Sequence, residues 1–307
     1  MKDVTDKDRS DNLPLVCAPG ERRRIDVGGR ILGGREVMVI AGPCTVESRG
    51  SMEEIAHAAA EAGADGLRGG VFKPLTFPYG DPLAQPDRDD PSAGRDRREV
   101  LALDDLLPVA ERRLGYMKEA GERYGLPVVT EVLYASTVPM MEDYVDMWQV
   151  GYRHMFNMDL VEALATSSKP ILLKRHYGES LRSLLGVAEH FAARGHRDVA
   201  LCERGITSNH THRVTSRSIM DIQAIPALNE LAPTVPVVAD PSKATFHRDY
   251  VPQMTLAAVA AGADGILVEI HDRPEEAWVD PLNSLSFDRF GALMKDVRAL
   301  QDIVRPA

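Results

Sequence analysis

Short runs of apolar residues alternate with longer amphipathic segments along most of the chain. This alternation is typical of βα units, in which a buried parallel strand is followed by a helix that covers it. Eight runs predict buried strands, at residues 37–41, 66–72, 127–132, 147–151, 170–174, 199–203, 236–240 and 265–270. The clearest helical segments are residues 52–62, 179–193, 252–261 and 287–300. Eight strands that each precede a helix predict a (β/α)8 barrel, the TIM fold, and an open doubly wound sheet is the alternative.

Two segments depart from this rhythm. Residues 1–30 are polar and predict an N-terminal arm or cap, so that the barrel domain is expected over residues 31–307. Residues 81–107 are charged and rich in proline, and they follow the second predicted strand. That position places them on the C-terminal rim of a barrel, from which active-site loops project. The segment is therefore expected to be either a lid over the site or a surface insertion.

Length, charge and cysteine content narrow the class of protein. The chain has 307 residues, which suits one α/β barrel, and 44% of them are hydrophobic. No apolar run approaches the roughly 18 residues of a membrane span, and the charged N-terminus lacks the apolar core of a signal peptide, so a cytoplasmic protein is expected. A net charge of −10 disfavours nucleic-acid binding. Three cysteines without paired spacing predict neither a disulfide framework nor a zinc knuckle.

Ionisable residues recur at the C-terminal ends of the predicted strands, where barrel enzymes hold their functional groups. Any single one could form a structural ion pair, but a ring of them at one end of the barrel favours a binding site. Five basic residues could together hold a ligand with a carboxylate and a phosphate: Arg68, Lys73, Arg153, Lys174 and Arg204. The other residues at these ends are Cys44, Glu131, Asp240, Lys243, Glu269 and His271. Residues 211–220, after the sixth strand, are expected near the substrate or at a subunit contact.

Several motifs at these strand ends resemble those of a known enzyme family. AGPCTVES at residues 41–48, LRGGVFKP at 67–74, LLKR at 172–175 and LCERG at 201–205 strongly resemble 3-deoxy-D-arabino-heptulosonate 7-phosphate (DAHP) synthases. The segments DPS at 240–242, RD at 248–249 and GILVEIH at 265–271 continue the resemblance. The match covers roughly residues 25–300. It is to the small type I subgroup, close to 3-deoxy-D-manno-octulosonate 8-phosphate synthases, and a separate regulatory domain is not expected.

The resemblance implies an aldol-type condensation. Enzymes of this family join phosphoenolpyruvate to an aldose phosphate, release inorganic phosphate and form a 3-deoxy-2-keto acid. Water attacks C2 of the enol phosphate while C3 attacks the aldehyde carbon. By resemblance, the five basic residues bind phosphoenolpyruvate, Lys174 is the first candidate for proton donor, and Asp240 and Thr76 belong to the substrate site. A homo-oligomer, either a dimer or a tetramer, and the absence of an organic cofactor are also implied.

The residues that would bind a metal ion depart from the family pattern. Metal-dependent members use Cys, His, Glu and Asp as ligands. Three of these are matched, by Cys44, Glu269 and Asp280. Lys243 stands in place of the His, and a protonated lysine has no lone pair to donate. Either the Lys243 ammonium takes over the catalytic task of polarising the aldehyde oxygen beside Cys44, or His271 or His247 completes a rebuilt site. Whether a divalent ion such as Mn, Co, Zn or Fe is required is left open.

A second departure lies where the family binds the acceptor sugar. The family has Arg at the position of Leu75, and this Arg and the following Thr, here Thr76, bind the acceptor phosphate. Loss of one charge-assisted contact costs on the order of 1.5–3 kcal/mol. The usual Gly after Lys-Arg is also replaced, by His176. These changes predict an acceptor other than erythrose 4-phosphate, in a specialised pathway. An ordinary DAHP synthase that binds the phosphate through Arg248 or the segment 81–107 is the alternative.

Two other functions fit parts of the sequence. Lys174 or Lys243 could form a Schiff base, as in class I aldolases, if its pKa were depressed. The chain could also bind phosphoenolpyruvate without turnover, since Lys243 replaces a metal ligand. Borohydride trapping with a keto substrate would identify the aldolase, and phosphate release would identify the synthase.

Overall fold

Eight parallel strands form a closed ring in the computed structural model, which describes residues 4–89, 96, 98–212 and 214–306. Two shorter strands, β1 (Ile25–Val27) and β2 (Arg30–Leu32), form a separate hairpin that precedes the barrel in the chain. The eight barrel strands are β3 (Met38–Gly42), β4 (Gly66–Gly69), β5 (Val128–Val132), β6 (Met147–Val150), β7 (Ile171–Lys174), β8 (Val199–Glu203), β9 (Val237–Ala239) and β10 (Gly265–Glu269). Each barrel strand pairs with the next, and β10 pairs with β3, where Gly265 lies beside Met38. This closure confirms the (β/α)8 barrel and its eight predicted strands, and it excludes the open sheet.

Helices follow the strands and cover the barrel. They are α1 (Arg49–Glu61), α2 (Leu103–Tyr124), α3 (Val138–Met141), α4 (Met158–Ala165), α5 (Leu181–Ala193), α6 (Ala224–Leu231), α7 (Pro241–Thr245), α8 (Val251–Ala260) and α9 (Phe287–Val304). The four predicted helices are confirmed. Helix α1 begins at Arg49 rather than at residue 52, because the Ser48 hydroxyl accepts a hydrogen bond from the Ser51 N–H and caps the helix. Among the helices that the structure describes, none has the length and apolar character needed to cross a membrane.

Side chains that alternate along the strands divide the core into two clusters. On β3, Met38 and Ile40 belong to an inner cluster, whereas Val39 and Ala41 belong to the larger cluster that includes residues of the helices. This two-residue alternation is the period of a β-strand. The inner cluster continues around the barrel through Val129, Met147, Leu172, Ala200, Cys202, Val238 and Leu267.

The hairpin β1–β2 closes the N-terminal end of the barrel interior. Gly28 in its turn lies against Pro127 and Asp146, which directly precede strands β5 and β6. Three apolar side chains of the hairpin are buried in the inner cluster: Ile25, Val27 and Leu32. The domain boundary predicted at residue 30 falls within this hairpin, and the division into an arm and a barrel domain stays a prediction. The opposite, C-terminal end of the barrel is left for the site.

The segment before the hairpin is attached to helix α5. The backbone N–H groups of Leu15 and Val16 donate to the Glu189 carboxylate at 3.0 and 2.8 Å. Arg182 of the same helix lies 2.6 Å from the Asp8 carboxylate. The N-terminal residues therefore pack along the outside of the barrel.

The charged, proline-rich segment after β4 lies at the C-terminal rim. Arg113 of α2 is fully buried and donates to the carbonyl oxygens of Pro82 and Gln85 at 3.0 and 3.1 Å. Its guanidinium also lies 5.2 Å from the Trp278 ring centroid. Helix α2 thus ties down the first part of the segment. Residues 90–95 and 97 lie outside the described residues.

Candidate active site

A cavity opens at the C-terminal ends of the barrel strands. The five basic residues that the sequence placed at these ends all line it: Arg68, Lys73, Arg153, Lys174 and Arg204. From the other residues that the sequence analysis singled out, the cavity is lined by Cys44, Thr76, Glu131, Lys243 and Asp280. The predicted convergence is therefore present, whereas the role of each residue stays a prediction.

Lys174 and Asp240 form a buried ion pair beside the cavity. Lys174 ends β7, and its Nζ lies 2.7 Å from Oδ2 of Asp240, which follows β9. Burial alone would raise the pKa of the Asp240 carboxyl, but Lys174 and Arg68 hold it below its usual value. Of the described residues that line the cavity, Lys174 is one and Asp240 is not. Asp240 was predicted to belong to the substrate site. In the structure its carboxylate contacts Lys174, and this contact holds the Lys174 ammonium in place.

Arg68 presents hydrogen-bond donors to the cavity from strand β4. Its Nη2 lies 3.1 Å from Glu269 Oε1, and both side chains are buried. Burial opposes its charge, yet Glu269 and Asp240 keep the pKa of Arg68 above its usual value. Its Nε and Nη1 have no hydrogen-bond partner among the residues that the structure describes. An anion in the cavity could accept from them, because unsatisfied buried donors are costly.

Lys73 reaches the cavity through a tight turn after β4. Its Nζ lies 3.1 Å from Cys44 Sγ and also donates to the Cys44 carbonyl oxygen. The turn requires glycine at position 70, since a Cβ there would lie 2.5 Å from Lys73 Nζ and 2.7 Å from the Cys44 oxygen. The second glycine of the LRGG motif is therefore what allows the ammonium and the Cys44 loop to meet.

The outer wall of the cavity combines basic and aromatic groups. Arg153 donates to Tyr152 Oη at 2.8 Å and to Thr76 Oγ1 at 3.0 Å. The Arg204 guanidinium lies 4.3 Å from the Tyr152 ring centroid, a cation–π distance. Arg153 thereby fastens the segment that carries Leu75, which also lines the cavity. The position at which the family has Arg thus faces the site but is apolar in this chain.

Cys44, Glu269 and Asp280, here called the Cys44 cluster, come together at the cavity. One donor atom from each lies within 4.8 Å of the others, which is the arrangement of a metal-binding group. Lys243 lies among them: its Nζ is 3.2 Å from Cys44 Sγ and 2.6 Å from Glu269 Oε1, and it donates to Asp280 Oδ2. Asp280 has a left-handed backbone, with φ of 54°, a conformation that Asp tolerates better than most residues.

Charge in the Cys44 cluster is set by burial and by Lys243. Burial, with the nearby Glu269 carboxylate, raises the pKa of the Cys44 thiol to about 11. Burial opposes charge on Lys243, but Asp280 and the other members of the cluster raise its pKa well above its usual value. Burial alone would raise the pKa of the Asp280 carboxyl, but the neighbouring Lys243 outweighs burial, so that this pKa lies below its usual value. The cluster therefore holds a protonated thiol and an ammonium paired with carboxylates.

No histidine completes the Cys44 cluster within the described ranges. His271 Nε2 lies 3.3 Å from Glu47, and its Nδ1 accepts a hydrogen bond from the Arg273 N–H at 3.0 Å. His247 lies 3.7 Å from Asp249 in a short turn outside the cluster. The expectation that either histidine rebuilds a metal site is therefore wrong. With the Lys243 ammonium among the three donors, these residues do not fit a divalent ion.

Two arginines near the site have structural partners. Arg248 contacts the Glu275 carboxylate and the Pro281 carbonyl oxygen, and it is not among the described residues that line the cavity. The prediction that Arg248 binds the substrate therefore lacks support in its position. Arg175 pairs with Glu203 and Asp221, each at 2.9 Å, and so ties β8 to the loop that follows it.

Other residues of the cavity had no assigned role in the sequence. Arg217 lies 4.2 Å from the Phe246 ring centroid, and both line the cavity with Tyr152. Gln149 of β6 donates to Glu131 of β5 at 3.4 Å, and both also face the cavity. The signal for Arg217 was its place in the loop after β8, a loop that was expected near the substrate or at a subunit contact.

Comparisons with known proteins match this geometry. A family model described as the DAHP synthetase I family matches residues 108–304. A phospho-2-dehydro-3-deoxyheptonate aldolase from Thermotoga maritima is 35% identical over 278 residues, which are 91% of this chain and 74% of the relative. The chain belongs to the DAHP synthetase I family. The resemblance in the strand-end motifs is thereby confirmed, and this DAHP synthetase I family member is an enzyme.

Further relatives and solved structures agree with the family assignment. A 2-dehydro-3-deoxyphosphooctonate aldolase from Geotalea uraniireducens is 27% identical over 296 residues, 92% of this family member and 99% of the relative. The Thermotoga maritima aldolase in its crystal structure matches with a TM-score of 0.79 and 34% identity, over 93% of this chain and 75% of that chain. A truncated form of 3-deoxy-D-arabino-heptulosonate 7-phosphate synthase from the same organism matches with a TM-score of 0.77 and 33% identity, over 93% and 94%.

Proposed function

We propose that this DAHP synthetase I family member condenses phosphoenolpyruvate with an aldose or aldose phosphate. The products are inorganic phosphate and a 3-deoxy-2-keto acid. The observation that carries the proposal is the convergence of five cationic side chains, far apart in the chain, on one cavity. Phosphoenolpyruvate has a carboxylate and a phosphate. The guanidinium group of arginine and the ammonium group of lysine bind such anionic groups. The names of the heptonate- and octonate-forming relatives support the same reaction class.

The proposed reaction forms one carbon–carbon bond and breaks one carbon–oxygen bond. C3 of phosphoenolpyruvate attacks the aldehyde carbon, and the carbonyl electron pair moves to the aldehyde oxygen, which takes up a proton. Water adds to C2 and loses a proton. The bond between C2 and the phosphate oxygen then breaks, the C2 hydroxyl gives its proton to the leaving phosphate, and the keto group forms. The protons lost and gained balance.

The cations of the cavity position the substrate and stabilise its charge. Arg68 offers two unpartnered guanidinium donors from a buried position, which suits a carboxylate or phosphate. Lys174 lines the cavity with its ammonium held by Asp240, so it is placed to donate a proton to an oxygen that takes one up in the reaction, such as the aldehyde oxygen. In this reaction, catalysis depends chiefly on orientation and electrostatic stabilisation.

The acceptor side supports a substrate other than erythrose 4-phosphate. Leu75 lines the cavity where the family has Arg, so that a charged contact to an acceptor phosphate is missing. Arg217, whose guanidinium lies over the Phe246 ring, is a further cation in the same cavity. It is the candidate for an alternative contact to an anionic group of the acceptor. Arg248, the alternative considered from the sequence, has other partners. We therefore propose an altered acceptor, with Arg217 contacting any negative charge that it carries.

A Schiff-base mechanism is less well supported by the two candidate lysines. A lysine must be neutral to attack a carbonyl, and such lysines have a depressed pKa. Lys174 is paired with Asp240, and Lys243 is held by two carboxylates that raise its pKa. The environment of Lys243 therefore favours the ammonium. We propose no second enzymatic function, and borohydride trapping remains the direct check.

The assembly is proposed from family resemblance alone, and the location from the sequence. We propose a homo-oligomer, a dimer or tetramer, that works in the cytoplasm. Light scattering of the purified chain would measure the assembly, and a monomeric mass at assay concentration would contradict it.

The test of the proposed function is phosphate release from phosphoenolpyruvate with a panel of three- to six-carbon aldehydes, sugars and sugar phosphates. We expect release with at least one aldehyde, and a product mass equal to both substrates plus water minus phosphate. Arg68→Met should abolish release, whereas Arg112→Met, at an exposed position on α2, should not. Tight phosphoenolpyruvate binding without release from any acceptor would instead indicate a non-catalytic binding protein.

A further inference from the structure

The Lys243 side chain occupies the position at which a metal ion would lie in the Cys44 cluster. Its Nζ contacts the donor atoms of all three members, at 3.2 Å for Cys44 Sγ and 2.6 Å for Glu269 Oε1. A metal bound by these atoms would lie about 2.0–2.3 Å from each. Because the donors lie within 4.8 Å of one another, that position overlaps the lysine nitrogen. The ammonium and a metal ion exclude each other.

Lys243 is held in this position from both ends. Its backbone N–H donates to Asp240 at the start of α7, 3.1 Å away, and its side chain is 14% exposed. Glu269, which is fully buried, faces two cations, since Arg68 lies 3.1 Å from the oxygen that contacts Lys243. With Asp280 also paired to Lys243, the carboxylates of the cluster have cationic partners without a metal. Buried charges persist when they are compensated in this way.

We infer that the Lys243 ammonium is the resident cation of the Cys44 cluster and that it, rather than a divalent ion, polarises the carbonyl group of the acceptor aldehyde. The catalytic part of this inference rests on the proposed function, whereas the exclusion of a metal concerns the site alone. An ammonium has three hydrogens. Nζ donates one to Asp280 Oδ2 and one to Cys44 Sγ, whereas Glu269 Oε1 is its ion-pair partner at 2.6 Å without a hydrogen bond. The hydrogen donated to Cys44 Sγ, a weak acceptor, can turn to a stronger one. Lys243 lines the cavity, so a substrate oxygen can reach it.

The chemical role follows from where charge develops. As C3 of phosphoenolpyruvate attacks the aldehyde carbon, negative charge forms on the aldehyde oxygen. A hydrogen bond from Nζ stabilises that charge, as a donor in an oxyanion hole does. The proton that the oxygen finally takes up is balanced by the one lost from the attacking water. Lys243 is therefore charged before and after the step, and no metal ion enters the balance.

A cobalt titration of the chelator-treated protein tests the exclusion of a metal. Cobalt(II) bound to a thiolate gives an intense charge-transfer absorption band. We expect no band in the wild-type chain and no effect of chelator on phosphate release. Lys243→His removes the ammonium and supplies an imidazole, so this variant is expected to bind one equivalent of cobalt and to show the band. Wild-type uptake of one equivalent with the band, or chelator inactivation reversed by metal, would overturn the inference.

Two further variants locate the cobalt signal. Lys295→His adds an imidazole at an exposed position on α9 and should give no band. Cys44→Ser in the Lys243→His background should remove the band. If circular dichroism shows a folded Lys243→His protein that binds no cobalt, the ammonium is not what excludes the ion, and the inference is wrong.

Loss of the ammonium tests the catalytic part. Lys243→Met is expected to lower kcat by about 100- to 1000-fold, the effect of removing one oxyanion donor, while phosphoenolpyruvate affinity is retained. In Lys243→Ala, added ethylammonium should restore part of the rate, which a purely structural role would not allow. An unchanged kcat in Lys243→Met would refute the catalytic part.

The two proposals fail in different ways. If no aldehyde supports phosphate release by the wild-type protein, the proposed function fails, and the catalytic role of Lys243 fails with it. The cobalt titration then decides by itself whether Lys243 holds the cation position.

Discussion

Nζ of Lys174 lies 2.7 Å from Oδ2 of Asp240, and neither side chain is more than 4% exposed. Lys174 ends β7 and Asp240 follows β9, so strand β8 lies between them in the barrel and they are 66 positions apart in the chain. The pair keeps an ammonium at the cavity without leaving a buried charge uncompensated. Removal of one partner from such a pair typically costs about 3–5 kcal/mol, because the other charge remains buried.

This pair predicts strong coupling between the two residues. Asp240→Ala and Lys174→Met should each lower the free energy of unfolding, and the double variant should lose less than the sum of the two. A coupling energy of about 0.5–3 kcal/mol is expected. Urea unfolding of the four proteins measures it. Additive losses would mean that the ion pair does not stabilise the fold as a unit.

The turn after β4 predicts that replacement of glycine by alanine is harmful at Gly70 but tolerated at Gly115. Gly70→Ala should abolish phosphate release, because the added Cβ would lie 2.7 Å from the backbone oxygen of Cys44 and 2.5 Å from Lys73 Nζ, so that both must move. The matched change Gly115→Ala, inside α2, meets no atom within 4 Å and should stabilise the protein by about 0.5–1 kcal/mol with full activity. Steady-state assays and thermal unfolding report both effects. Full activity in Gly70→Ala would show that the position of Lys73 is not critical.

The acceptor side predicts that charge at residue 75 controls substrate choice. Leu75→Arg restores the family residue and should favour phosphorylated over neutral acceptors by about 10- to 150-fold, the equivalent of 1.5–3 kcal/mol. Arg217→Gln should weaken binding of an anionic acceptor and leave that of a neutral one unchanged. The ratio of kcat/KM for matched aldoses and aldose phosphates is the measurement. Equal ratios in all three proteins would place the acceptor elsewhere.

Acid sensitivity is predicted for the buried His196. Burial lowers the pKa of His196, with Asp198 opposing, so the unfolded chain binds a proton more readily than the folded one. The contribution of neutral His196 to stability is therefore present above the unfolded pKa of about 6.5 and is lost as the pH falls below it. His196→Asn should reduce the loss of stability between about pH 7.5 and pH 5. His57→Asn, at an exposed position on α1, should not.

The β1–β2 hairpin, which closes the N-terminal end of the barrel interior, predicts different losses of stability for substitutions at two adjacent residues of β2. Leu32→Ala removes a fully buried side chain from the inner cluster and should cost about 2–5 kcal/mol. Ile31→Ala, at a side chain that is 38% exposed, should change stability by less than about 0.5 kcal/mol. Chemical unfolding compares them. Similar losses would show that the hairpin does not fill the barrel interior.

The fold was largely readable from the sequence because barrel strands are buried on both faces. Continuous apolar runs such as residues 199–203 stand out against amphipathic helices, and β8 has those bounds. The hairpin β1–β2 was not predicted. Its strands have three residues each, and Asp26 and Arg30 interrupt the apolar pattern, so that the hairpin becomes apparent only where it meets the barrel.

By itself, the sequence determined the barrel, the family and the five basic residues at the strand ends, since strand direction places those ends at one mouth. Side-chain direction was decided only by the tertiary structure. Asp240 turns toward Lys174, Arg248 turns toward Glu275, and the Lys243 ammonium lies among donors contributed by distant loops. These contacts depend on how loops after separate strands meet in space, which local patterns along the chain do not encode.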